Sequence, residues 1–122
     1  MFPARPRVPT SALPGVAEGL LRRERRARYR ELAESDPNLA REIGVGRPDR
    51  QRTFDDGGLV DLNSLSAAHL ARFLEISPEQ AQQIVDTRQR LSRLSSVDDL
   101  VVHARFSPEL AERLREYALL AL

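Results

Sequence analysis

The chain has 122 residues and a formal net charge of +1, which suits one domain with an extension and not a large enzyme cleft. It contains no cysteine, so disulfides, thiolate metal ligands and a cysteine nucleophile are excluded. Residues 1–58 carry 12 arginines and 9 acidic residues, whereas residues 59–122 carry 7 arginines and 9 acidic residues. The second half is therefore slightly acidic, which disfavours a purely electrostatic grip on nucleic acid.

Residues 1–15 form a stretch rich in proline and arginine that predicts a flexible arm. Met1–Thr10 lacks the apolar core of a secretion signal. The whole chain lacks an apolar run of about 20 residues, the length that a membrane span requires. We therefore expect a cytoplasmic protein without a transmembrane segment.

Residues 16–58 predict a helical, arginine-rich extension and a linker. Val16–Ser35 has an incomplete apolar stripe, so we expect this helix to lie outside the core of the domain. Its arginines are candidates for contact with phosphate groups: Arg22, Arg23, Arg25 and Arg26. The interleaved glutamates favour the alternative, an ordinary solvated helix face.

Asp36-Pro37 predicts the start of a second, short helix, and Gly44 predicts its end. The linker from Val45 to Gly58 follows, with a predicted turn at Asp55-Asp56-Gly57-Gly58. A dedicated calcium loop needs more oxygen ligands at regular spacing, so the paired aspartates indicate a turn and not a cation site.

Residues 59–122 contain one pattern twice: a short helix, a tight hairpin and a longer helix. The breaks fall near residues 74–77 and 104–107, and Ser77-Pro78 and Ser107-Pro108 restart the chain as helix. Serine is a good N-cap and proline suits the first helical position. Gln80 is placed to complete a capping box with Ser77. The pattern predicts four helices, the last reaching Leu120.

Three segments carry a family resemblance: Val60–Ser66, Ala81–Arg88 and Leu94–Leu100. Together they resemble the tandem helix-hairpin-helix domain of the ComEA competence DNA-receptor family, over about half of the chain. The resemblance implies an all-α fold of four short helices, preceded here by the arm and one or two helices. It also implies binding of duplex DNA through the backbone without reading sequence, and a role for Asn63 in bonding local backbone.

The hairpins of that family read glycine, apolar residue, glycine, and this chain departs from the pattern. The residues at its two hairpins are Glu75, Ile76, Ser77, Arg105, Phe106 and Ser107. Only the apolar middle residues are kept. Bare glycines let a phosphate approach the backbone, whereas Glu75 would repel one by roughly 4 kcal/mol at ~4 Å before salt screening.

The sequence offers no catalytic arrangement. His69 and His103 stand alone without a third metal ligand in a fitting pattern, and no Ser/His/Asp context or glycine-rich phosphate loop occurs. We therefore expect no enzyme activity, no cofactor, no metal and no small-molecule substrate.

Two hypotheses for function remain. The favoured one is a non-catalytic adaptor that docks a protein partner within a larger assembly, because both glycine pairs are replaced and the domain is acidic. The alternative is ComEA-like binding of duplex DNA. Its candidate phosphate contacts in the repeat are Arg88, Arg90, Arg93 and Arg105. For the first three, pairing with carbonyl groups at a helix end is the structural alternative.

Overall fold

The computed structural model describes residues 14–122, which form six helices and two short strands. Helices α1 (Pro14–Ser35) and α2 (Pro37–Ile43) come first, and a loop leads from them to β1 (Val60–Asp61). The repeat then comprises α3 (Ala67–Leu74), α4 (Pro78–Arg90), α5 (Asp98–Ala104), α6 (Pro108–Tyr117) and β2 (Ala118–Leu119). The predicted all-α class and the four helices of the repeat are confirmed.

The first helix begins two residues earlier than the sequence predicted. Pro14 and Gly15, assigned to the arm, are its first two residues, because proline has no N–H to lose at a helix start. The rest of the predicted arm lies outside the described residues. Within residues 14–122, no helix combines the length and the apolarity needed to cross a bilayer.

Serine side chains set the starts of three helices in the repeat. Ser77 Oγ accepts from the Gln80 N–H at 3.0 Å, and Gln80 Oε1 accepts from the Ser77 N–H at 3.0 Å, so the predicted capping box is confirmed. Ser66 and Ser107 each accept from the amide three residues on. Such caps contribute about 1 kcal/mol each, which fixes where the chain turns.

One apolar core lies between the four helices of the repeat, where α4 packs on α3 and α5, and α5 packs on α6. Its fully buried large side chains include Leu62, Leu65, Leu70, Ile84, Leu94, Leu100 and Leu114. The middle residues of both hairpins, Ile76 and Phe106, also belong to this core. Each hairpin is therefore anchored from beneath by one apolar side chain.

A second, smaller core joins the extension to the end of the chain. Its buried members are Ala33, Ala40, Val45, Leu59, Leu119 and Leu122, and Tyr29, Leu32 and Phe54 pack against it. The expectation that the first helix lies outside the core is therefore wrong for its C-terminal half. It holds for the N-terminal half, where Leu20 and Leu21 are each 52% exposed. The apolar stripe is incomplete because only part of the helix is covered.

Backbone pairing between two short strands joins the two ends of the repeat. Strands β1 and β2 pair in parallel, with Val60 opposite Ala118 and Asp61 opposite Leu119. The prediction that the last helix reaches Leu120 is wrong by three residues, because the chain becomes extended after Tyr117 to make this pair. Asn63 does not bond local backbone as expected. Its side chain donates to Leu94 O and Leu120 O and accepts from the Leu94 N–H at 2.7 Å.

The chain bends at Gly57 and Gly58, within the predicted turn of the linker, and the two carboxylates before the bend bind the protein itself. Asp56 is fully buried and accepts from the amides of Gly46, Gly58 and Leu59, at 2.8, 3.1 and 3.2 Å. It also forms an ion pair with Arg52 at 2.8 Å. The linker is therefore a folded connector between the two cores.

Candidate functional site

The first hairpin turns at Glu75, whose backbone is left-handed with φ 54° and ψ 47°. The Glu75 and Ile76 amides both donate to Ala71 O, which ends α3. A side chain at this φ carries a strain of about 1 kcal/mol that glycine would avoid. The need for a left-handed residue is therefore a structural reason for glycine at this hairpin position, separate from any ligand.

The second hairpin repeats this solution at Arg105, with φ 58° and ψ 33°. The Arg105 and Phe106 amides both donate to Leu100 O, and the Phe106 side chain is only 5% exposed. Helix α6 then begins at Pro108 with Ser107 as its cap. The two units thus share a hairpin geometry although their exposed residues carry opposite charges.

This duplicated arrangement agrees with a comparison to known families. A family model described as the helix-hairpin-helix motif matches residues 55–118, which is more than half of the chain. The chain belongs to the helix-hairpin-helix family. No curated protein and no solved structure matches it at a significant level. The family serves as a general module for binding nucleic acid or protein.

In this helix-hairpin-helix domain, the first hairpin has little to offer an anion. The Ser77 and Gln80 amides are used by the capping box, and Pro78 has no N–H. From Glu75 through Gln80, the Glu79 amide is the one that finds no acceptor among the described residues. The exposed carboxylates of Glu75 and Glu79 add negative charge at the same place.

The second hairpin leaves more of its backbone amides without an acceptor among the described residues. Ser107 Oγ accepts from the Leu110 N–H at 3.1 Å, but leucine at that position cannot return the bond. Ser107's own amide therefore finds no acceptor among the described residues. Beside this hairpin, Arg90, His103 and Arg105 line a cavity of about 290 Å³ together with Asp86. This is the more cationic of the two hairpin surroundings.

Two of the predicted phosphate-contacting arginines in the repeat are used inside the fold. Arg88 donates to Leu62 O at 3.0 Å and to Leu65 O, and Arg93 donates to Leu120 O. Burial disfavours the charged form of both groups, so it lowers the pKa of Arg88 and raises the pKa of the nearby Asp61 carboxyl. Both arginines therefore pair with carbonyl groups, but these carbonyls lie before α3 and after β2 and not at a helix end as the structural alternative expected. Arg90 is exposed, and within residues 14–122 its hydrogen bonding is limited to a long contact of 3.4 Å with His103 O.

The arginine-rich run on α1 was expected to be an ordinary solvated helix face. The structure corrects this expectation, because several of its arginines bind other parts of the protein. Arg26 is 3% exposed, donates to Gly57 O at 2.9 Å, pairs with Glu116 at 3.0 Å and lies 4.7 Å from the Tyr117 ring centroid. Arg25 pairs with Asp55 at 3.0 Å, and Arg23 lies 4.0 Å from Glu116. Arg30 is half-buried, and this burial lowers its pKa. Its guanidinium group donates to the carbonyl oxygens of Arg115 and Glu116, near the end of α6.

Arg22 belongs to a feature that the sequence analysis missed. A cavity of about 470 Å³ lies between the first hairpin, α6, α1 and the linker, and Arg22, Phe73, Glu75, Arg113 and Tyr117 are among its lining residues. These residues come from distant parts of the chain. No local pattern in the sequence predicts this cavity, because it forms only when α1 and the linker pack against the repeat.

The two histidines lie on different helices. His69 is on α3, where Nδ1 is 3.2 Å from Ser66 Oγ and 3.9 Å from an Asp49 carboxylate oxygen. His103 is exposed on α5. Within residues 14–122, no three His, Asp or Glu side chains are grouped as metal ligands would be.

Proposed function

We propose that this chain is a non-catalytic adaptor whose helix-hairpin-helix domain docks a protein partner within a larger assembly. The observation that carries the proposal is the capping box of the first hairpin. It occupies amides that a phosphate group would otherwise bind, in a hairpin that already carries Glu75. A protein partner can still bind such a hairpin, because contact between two protein surfaces does not require a cluster of unpaired backbone amides.

The distribution of arginines supports the same proposal. Arg26, Arg88 and Arg93 bind carbonyl or carboxylate groups of the protein itself. Contact with nucleic acid would require these groups to leave their partners, and moving Arg26 would leave Glu116 and a buried carbonyl without it. Fewer arginines are therefore free to neutralise phosphates than the sequence suggests.

The second candidate function is ComEA-like, sequence-independent binding of duplex DNA, and one observation favours it. The second hairpin combines the Ser107 amide with the cationic groups of Arg90 and Arg105. Such a site would contact the backbone without reading bases. The carboxylates of Asp86 and Glu109 lie beside it and oppose an anion.

The proposal includes no enzyme activity, no small-molecule substrate and no cofactor. It also includes a cytoplasmic location, as the sequence leads us to expect. The hairpin residues Glu75, Ser77, Arg105 and Ser107 are the proposed centre of the interaction surface. Ile76 and Phe106, also predicted as interaction residues, are buried in the core and support the hairpins from beneath.

Affinity capture with the intact chain tests the proposal. A cell extract is divided into two halves, and one half is treated with nuclease. The intact chain is then used to capture partners from each half at about 0.15 M salt. Docking predicts that a defined protein is retained in both halves and that the purified partner binds the purified chain. Retention of nucleic acid, with every captured protein lost after nuclease, would contradict docking and favour the DNA function.

A further inference from the structure

The linker and both short strands meet at Asp61. The Asp61 N–H donates to Gly46 O in the linker at 2.9 Å, and Asp61 stands opposite Leu119 in the pair of β1 and β2. An added Cβ at Gly46 would lie 2.6 Å from a Leu119 side-chain carbon and 3.3 Å from the Asp61 Cβ atom. The three residues therefore form one close contact between the linker and the repeat, which we call the joint.

The Asp61 carboxylate is buried at the joint without a partner of opposite charge. Asp61 is 2% exposed and forms no ion pair within residues 14–122. Its Oδ1 atom accepts from the Asn63 N–H at 2.9 Å. Asp56, the other buried carboxylate of the described residues, accepts from three backbone amides and pairs with Arg52. An ionised carboxylate is therefore well compensated at Asp56 and poorly compensated at Asp61.

Two charged groups face Asp61, Arg47 from the linker and Arg88 from α4, and among the described residues no charge of α3 or β2 acts on it. Both guanidinium groups are bound elsewhere. Arg47 pairs with Asp49 at 2.9 Å, and Arg88 donates to Leu62 O at 3.0 Å. Burial raises the pKa of the Asp61 carboxyl, and the opposing effects of the two arginines are smaller.

We infer that Asp61 makes the joint sensitive to pH: uptake of a proton by its carboxylate strengthens the joint, and loss of the proton weakens it. The inference is independent of the docking function. A neutral carboxyl costs less to bury than a charged one, so the closed joint holds the proton more firmly than an open joint that water can enter. The linker is therefore held less firmly against the repeat at neutral pH than in mild acid.

The sign of the pH dependence follows from the raised pKa of Asp61 in the closed joint. In the open joint the carboxyl has its ordinary pKa of about 3.9, and below that pH both forms hold the proton. The cost of burying the charge grows as the pH rises from the ordinary to the raised pKa, and it is complete above the raised pKa. Hydrogen bonds from Arg47 and from the Gly57 amide lower the pKa values of Asp49 and Asp55, so these carboxylates stay ionised in mild acid and do not mask the effect.

Amide hydrogen exchange of the full chain and of Asp61→Asn, which resembles the neutral acid, tests the inference. The reporters are the Gly46 and Leu62 amides, which donate to Asp56 Oδ2 and Leu119 O at the joint, each corrected for its exchange rate in an unstructured chain. At about pH 7 the variant should slow both amides by about threefold or more, beyond the roughly twofold effect of an ordinary exposed substitution. At about pH 4 the difference should fall below twofold. Asp86→Asn removes the same charge at an exposed position and should change neither amide.

Equal exchange in Asp61→Asn and the unmodified chain at about pH 7 would overturn the inference, as would a difference of the same size at about pH 4. A second measurement does not depend on how the variant folds. The ¹³C shift of the Asp61 carboxyl in the unmodified chain should titrate above the ordinary value of about 3.9. Titration at or below that value would overturn the inference as well.

Discussion

The first hairpin at Glu75 and the second at Arg105 have nearly the same backbone, with φ of 54° and 58° at the turning residue. Both rest on one buried apolar side chain, and both restart at Ser-Pro. They differ in their polar groups. The first has a reciprocal capping box and an exposed carboxylate, whereas the second has a one-way cap and an exposed guanidinium.

Under the docking proposal, the first hairpin has lost its capacity for phosphate while it keeps its fold. Ser77 and Gln80 satisfy the amides that a phosphate would otherwise satisfy, so the helix start remains stable without any ligand. The second hairpin has no such replacement for the Ser107 amide. Changes made in pairs, one at each hairpin, separate the structural role from the binding role.

The largest expected effect falls equally on both hairpins. Ile76→Ala and Phe106→Ala should each lower the free energy of unfolding by about 3 kcal/mol, since both remove a side chain from the same core. Urea denaturation followed by circular dichroism measures this loss. If one variant lost less than about 1 kcal/mol, the two hairpins would not be equivalent structural elements.

The next effect is confined to the first hairpin. Glu75→Gly/Ser77→Gly removes the repelling carboxylate and frees the Gln80 amide from the Ser77 side chain, so affinity for mixed-sequence duplex DNA should rise about tenfold, which corresponds to about 1.4 kcal/mol. Mobility shift measures the change. Folding should be kept, because glycine is itself an acceptable N-cap. An unchanged affinity would show that the two side chains do not close this hairpin to DNA.

A smaller effect tests the shared backbone. Glu75→Gly and Arg105→Gly should each raise the free energy of unfolding by about 1 kcal/mol, because glycine relieves a left-handed φ. Gly44→Ala is the reverse control. Gly44 caps α2 at φ 87° with open space around it, so alanine should destabilise by about 1 kcal/mol through backbone strain. If both hairpin variants destabilised the protein, their side chains would have a stabilising role that the contacts do not explain.

The smallest effect concerns the capping box. Gln80→Ala should lower the free energy of unfolding by about 0.5 kcal/mol and speed exchange of the Ser77 amide, whose acceptor is removed. Gln83→Ala, at an exposed position of the same helix, is the matched control and should not change that amide. Equal exchange in both variants would contradict the role given to Gln80.

The repeat was predictable because its signals are local. Ser77-Pro78 and Ser107-Pro108 mark helix starts, and the apolar spacing around them defines the core. The second core was not predictable, since alanines on α1 and α2 meet Leu119 and Leu122 from the other end of the chain. Ala33 belongs to the incomplete apolar stripe of α1, but an alanine has too little apolar area to indicate a second core from the sequence.

The candidate site was predictable in part. The hairpin residues follow from the repeat, but the use of each arginine does not, because guanidinium groups act across long sequence separations. Arg30 contacts carbonyl groups 85 and 86 residues away, and Arg88 contacts one 26 residues back. The cavity beside the first hairpin depends on the same long-range packing of α1.

The central claim is that neither hairpin makes this chain a strong DNA-binding protein. Its most direct test is the affinity of the unmodified chain for a mixed-sequence duplex at about 0.05 M and about 0.2 M salt, measured by fluorescence anisotropy. The account predicts weak binding at both salt concentrations and little change on Arg105→Glu. Tight binding that falls steeply with salt and is lost on Arg105→Glu would contradict it and establish the second hairpin as a phosphate site.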